Sequence, residues 1–104
     1  MIKKNFTDNG VYYRIKKHTV LYLSDFDENN NIKFCTYIKK IHKTEQGGVH
    51  GFDKLKIIEG ICDFNKEQFI ITNINKEKCW SENEFNNIFE STKHILNKEV
   101  MSNI

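Results

Sequence analysis

Phe85, Ile88, Phe89, Thr92, Ile95, Leu96 and Val100 recur at i, i+3, i+4 and i+7, and no other feature limits the fold of this chain as much. At 3.6 residues per turn these side chains form one stripe of a helix, expected to run from Ser81 to about residue 99. Ser81-Glu82-Asn83-Glu84 has the pattern of a capping box, in which the Ser81 hydroxyl takes the Glu84 amide and the Glu84 carboxylate reaches back. Trp80 and Phe85 occupy the two positions of a hydrophobic staple, and Glu82 and Glu84 suit the positive end of the helix dipole. One helix cannot bury its own stripe. The rest of the chain must supply a surface for it.

That surface reads as strands. From Val11 the pattern alternates with period two. Val11, Tyr13, Ile15, Thr19, Leu21 and Leu23 share one parity, and Tyr12, Arg14, Lys16, His18 and Tyr22 share the other. The parity survives Lys16-Lys17-His18, so one long strand is expected over about 11–25, bent or frayed at Lys17. Residues 1–10 read as an irregular lead-in ending in the turn signal Thr7-Asp8-Asn9-Gly10, and Asp27-Glu28-Asn29-Asn30-Asn31 reads as a second turn. A strand over about 32–43 follows and forms a long hairpin with the first. Ile41 and His42 break its alternation, which predicts a bulge. Three glycines between Thr44 and Gly51 predict the most mobile loop of the chain. Residues 54–62 read as a third strand, with a short helix from Asp53 to Gly60 as the competing reading. The segment 69–74 is rich in β-branched residues and apolar on both parities at its start, which predicts a central strand covered on both faces. The fold expected is α+β: one domain over residues 1–104, with an antiparallel sheet of about four to five strands packed against a single C-terminal amphipathic helix.

Composition narrows the class. With 104 residues, 38% of them hydrophobic and 12% aromatic, the chain has enough apolar bulk for a core and too much for a disordered segment. No apolar run approaches the ~20 residues of a membrane helix. The charged N-terminus has no apolar core behind it and is not read as a signal peptide, so the expected location is the cytoplasm, with no membrane partner. Cys35, Cys62 and Cys79 are odd in number and widely spaced, which points to reduced, buried thiols. Ala and Pro are absent and Arg occurs once. That bias matches an AT-rich gene, as in many phages and mobile elements.

Little here resembles a reaction centre. The histidines are His18, His42, His50 and His94. Cys35, Cys62, His42 and His50 could be drawn as a zinc site, but short ligand pairs are lacking. His50 with Cys35 or Cys62, or with Glu45 or Asp53, could be drawn as a dyad with no local signature behind it. Gly47-Gly48-Val49-His50-Gly51 lacks the Lys-Ser/Thr ending of a phosphate loop. No catalytic residue, metal ligand or cofactor is expected.

Charge is more informative. Residues 1–56 hold eleven Lys and Arg against six Asp and Glu, and the remainder five against eight, so a basic N-terminal half with net +5 precedes an acidic half with net −3. If Val11, Tyr13 and Ile15, with Ile32, Phe34 and Ile38, face the helix, the opposite face of the hairpin carries Tyr12, Arg14, Lys16, Tyr22, Lys33, Tyr37 and Lys39 as a candidate binding set. Tyrosines interleaved with cations suit an acidic protein surface or a nucleic acid. A whole-chain charge of +2 with one Arg is low for a nucleic-acid domain. The leading expectation is a non-catalytic inhibitor or immunity-type protein that neutralises a toxin or a host-defence enzyme. The alternatives are a small nucleic-acid-binding module using the same face and a small nuclease-like enzyme built on His50.

Overall fold

The computed structural model describes residues 3–7 and 10–103, without the side chains of Lys3, Lys4, Thr7, Val49, His50 and Asn103. Strands β1 (Lys3–Thr7), β2 (Gly10–Lys16), β3 (Thr19–Ser24), β4 (Ile32–Lys43), β5 (Val49–Asp63) and β6 (Gln68–Ile74) form one antiparallel sheet in the order β1-β2-β3-β4-β5-β6. Helix α1 (Glu82–Ile95) then lies across one face, and its path continues through a π-helical turn, Leu96–Val100, and a 3₁₀ turn, Met101–Asn103. The protein is α+β, with six strands rather than the expected four to five. Among the described residues no helix is long and apolar enough to cross a membrane.

Two of those strands come from residues read otherwise. The expected strand 11–25 is a hairpin, β2 and β3, turning at Lys17-His18. Val11 stands opposite Leu23 and Tyr13 opposite Leu21, but Lys16 stands opposite Thr19, which leaves Ile15 as an extra residue. This bulge restores the parity that a two-residue turn would have inverted, so alternation runs through the turn as if it were absent. The lead-in is also a strand: β1 pairs with β2, from Lys3 opposite Arg14 to Thr7 opposite Gly10. Asp8 and Asn9 of the expected turn lie outside the described residues.

The long β4–β5 hairpin anchors the sheet. The register shift expected near Ile41-His42 falls between His42 and Lys43, and the extra residue belongs to β5, at His50. A second shift leaves Ile57 as an extra residue opposite Thr36-Tyr37. A bulge turns two neighbouring side chains to the same side, and Ile57 and Ile58 both enter the core. The strand β5 takes in Val49–Asp53, so the expected loop shrinks to residues 44–48, and neither the helix over 53–60 nor a loop to 51 forms. Thr44 closes that turn by accepting the Gly48 and Gly47 amides, at 3.0 Å on its hydroxyl and 2.9 Å on its carbonyl. Strand β6 is an edge, not a central strand. Phe69 and Ile71 pack on the core, while Ile70 and Ile74 remain 40% and 43% exposed.

Core side chains arrive from the helix side of every strand from β2 to β6. Tyr13, Leu21, Phe34, Ile58 and Cys62 meet Phe85, Ile88, Ile95 and Leu96 of the helical segment. Phe34 lies directly over Gly60, where a Cβ would stand 2.4 Å from its ring and 2.2 Å from the Ile70 carbonyl oxygen. Only glycine leaves room for that ring. Helix α1 starts as expected at Ser81, whose hydroxyl accepts the Glu84 amide at 3.0 Å. The staple does not form. Phe85 is buried, but Trp80 is 84% exposed, and Cys79 packs on the core in its place.

Candidate binding face

The face away from α1 is organised in rows. Asn5, Tyr12, Tyr22, Cys35, Glu59 and Asn73 stand opposite one another in turn across all six strands. The next row holds Arg14, Val20, Tyr37 and Lys56, and beyond it Lys39 faces Lys54 and Ile41 faces Phe52. On the other side Lys33 faces Ile61, which faces Ile70. Directly paired residues in an antiparallel sheet point to the same side with Cβ atoms about 5 Å apart, so these rows make one contiguous surface.

The structure therefore brings Tyr12, Arg14, Tyr22, Lys33, Tyr37 and Lys39 together. It does not bring Lys16 with them. The Ile15 bulge turns Lys16 to the side of Thr19, and its ammonium meets the Glu84 carboxylate of α1 at 2.6 Å. Glu84 holds this lysine instead of completing the capping box. Sequence reasoning also missed Lys54, Lys56 and Phe52, which β5 adds to the same face. The alternation Lys54-Leu55-Lys56 was the available signal, but its register beside β4 depended on the Ile57 bulge, which no residue pattern marks.

Within these rows Arg14, Lys33, Lys39, Lys54 and Lys56 face a single carboxylate, Glu59. Its oxygens accept from Asn73 Nδ2 at 3.3 Å and from Lys56 Nζ at 3.2 Å. Both contacts, the Asn73 bond first, hold the carboxyl below its usual range. Three of the aromatic rings are capped by ammonium groups. Lys39 Nζ lies 5.9 Å from the Tyr12 ring centre and 5.0 Å from that of Phe52, and Lys54 Nζ lies 5.1 Å from that of Tyr37. Tyr37 is only 7% exposed, covered on its own face rather than by the helix. Burial first, then the neighbouring Cys35, Tyr12 and Tyr22, raises the pKa of its hydroxyl.

Burial pushes the thiols of Cys35 and Cys62 up to about 11, where the reactive thiolate is scarce at neutral pH. All three cysteines are free. Among the described residues no three of His, Cys, Asp and Glu gather closely enough to hold a metal ion. His42 Nε2 and an Asp53 carboxylate oxygen meet at 2.9 Å across the exposed end of the β4–β5 hairpin. No family model matches the chain, and searches of curated proteins and of solved structures found no match either.

Proposed function

We propose that this chain is a non-catalytic binding protein of inhibitor or immunity type, which lays its open sheet face on an acidic surface of another protein, a toxin or a host-defence enzyme. One observation carries the reading: in the rows described above, five cations, one carboxylate and three tyrosines share a six-stranded face that α1 leaves uncovered. Strands about 4.8 Å apart make such a face about 24 Å wide, which suits a standard interface of about 800 Å² per partner. Charge of one sign steers an acidic partner, and Tyr and Arg are the types that anchor it. The capped rings favour protein over nucleic acid. Bases stack on free aromatic faces, and here Lys39 and Lys54 occupy the rings of Tyr12 and Tyr37.

The test is capture of a partner from the native host, followed by affinity measurements on the purified pair. Arg14→Ala and Tyr12→Ala should each weaken binding by about 2 kcal/mol, whereas Asn87→Ala on the outer surface of α1 should not. Lys33→Glu should slow association and flatten its salt dependence. Tyr37→Ala is a poor probe of binding, because Tyr37 is buried and its loss would also lower stability. Tight binding of random oligonucleotides with a steep salt slope would replace this reading with the nucleic-acid one.

A further inference from the structure

At the end of the open face beside the β2–β3 turn lies a hollow of about 390 Å³, and every ionisable side chain that lines it apart from Tyr12 is basic: Arg14, Lys17, His18 and Lys39. Backbone contacts gather them. Arg14 Nη2 donates to the Lys17 carbonyl at 3.2 Å, which folds the guanidinium back over the turn. The Lys39 amide donates to the His18 carbonyl at 2.7 Å, which ties the turn to β4. The Lys39 ammonium is held between two ring faces, those of Tyr12 and Phe52. Buried Val20 and half-buried Ile41 give the hollow an apolar part.

Among the described residues these charges are not balanced from within. The ion pairs of the described residues join Lys16 to Glu84, His42 to Asp53, Lys56 to Glu59 and Lys93 to Glu90. Arg14, Lys17 and Lys39 take part in none of these. Lys39 also stands directly opposite Lys54, a like-charge cross-strand pair that costs stability. Cations gathered without a counter-charge focus a field on the hollow and favour an anion there.

We infer that this hollow is a binding site for a small phosphorylated ligand, a phosphate monoester on a flat apolar body about the size of a nucleoside monophosphate. Three permanent cations exceed what a single carboxylate neutralises, whereas a phosphate monoester carries about −1.5 to −2 at pH 7 and offers three acceptor oxygens. The Arg14 fork matches phosphate geometry, and Lys39 adds a point charge. The volume lies within the roughly 300–1,000 Å³ of small-ligand pockets, and Ile41 and the exposed Phe52 give the body a surface that a bare phosphate would not use. Such a site acts in the isolated chain and needs no protein partner.

The experiment is an NMR titration of the full chain with AMP, ribose 5-phosphate and adenosine. AMP should move the backbone amides of residues 14–20 and 39–41 in a saturable way. Ribose 5-phosphate should bind more weakly and adenosine should leave those amides in place. Arg14→Gln or Lys39→Gln should weaken AMP by about tenfold or more, while Lys33→Gln, at the far end of the face, should change it less than about twofold. The same spectra show that each variant is folded. Absence of saturable shifts, equal binding of adenosine or ribose 5-phosphate, or an equal loss with Lys33→Gln would overturn the inference. A silent titration would leave partner capture by the face intact, and failed capture would leave the titration intact.

Discussion

The two faces of this sheet share their strands and differ in what covers them. On the helix side Leu21, Ile58, Ile88, Ile95 and Leu96 are fully buried, and the core cluster holds no charged residue. On the open side the same strands carry Arg14, Lys33, Lys39, Lys54 and Lys56 around three tyrosines. Yet the open side is not uniformly wet. Val20 and Tyr37 are 3% and 7% exposed with no helix above them. The Lys54 ammonium lies 5.1 Å from the centre of the Tyr37 ring and shields that ring from water. The covered face sets which fold the chain adopts. The open face carries a thin apolar layer under a cationic one, and that outer layer can change without unfolding the protein.

The largest expected effect comes from the covered face. Phe85→Ala should cost about 3–5 kcal/mol and Ile88→Ala about 2–5 kcal/mol, read from denaturant midpoints, because both side chains are buried between α1 and the sheet. Arg14→Ala should stay within about 0.5 kcal/mol, as surface substitutions do. A loss below about 1 kcal/mol for Phe85→Ala would mean that the helix is only loosely attached, and the contrast between the faces would fail.

A subtler contrast lies inside the covered face. Thr92 Oγ1 donates to the Ile88 carbonyl at 2.9 Å, so at its 2.8 Å contact with Thr36 Oγ1 it must accept. Both threonines are buried. Thr92→Val removes the acceptor and strands the Thr36 hydroxyl, at a cost of about 1–3 kcal/mol. Thr36→Val leaves Thr92 its bond to Ile88 and should cost less. The double variant should be no worse than Thr92→Val alone, a non-additivity that a double-mutant cycle detects. A larger cost for Thr36→Val than for Thr92→Val would reverse the assigned direction of the bond.

These particulars separate what was legible in the residue pattern from what was not. Strand β4 and helix α1 were legible because each keeps one period over most of its length and is bounded by a recognisable signal: the glycine-containing loop after Lys43, and the Ser81 cap. The β2–β3 hairpin was not, because the Ile15 bulge hides the turn from any test of parity. That one bulge also misplaced Lys16 in the candidate set. Strand β6 looked central because Phe69, Ile70 and Ile71 are all apolar. Apolar residues on both parities state what a strand would bury, not whether a neighbour exists to bury it, and Ile70 finds only Ile61 beside it. Trp80 occupied a staple position, but Cys79 took the contact.

The smallest expected effect tests whether acid sensitivity belongs to the open face. Glu59 is the carboxylate in its rows, and Asn73 and Lys56 hold it below the ordinary value of about 4.5. A carboxyl with a depressed pKa in the folded state contributes stability that is present above its unfolded value. That contribution is lost as the pH falls through the lower folded value. The contacts are partly exposed to water, so the contribution should be less than about 1 kcal/mol and should shrink in salt. Glu59→Gln should therefore destabilise slightly at neutral pH and not at all once the wild-type carboxyl is protonated. Asn73→Leu should remove most of the same pH dependence, since the Asn73 bond is the larger cause. The cost of Phe85→Ala, measured over the same range, should change little with pH, because the buried side chains it packs among carry no carboxylate. If Phe85→Ala followed pH while Glu59→Gln did not, the acid-sensitive groups would lie under the helix, and the division of labour between the faces would have to be redrawn.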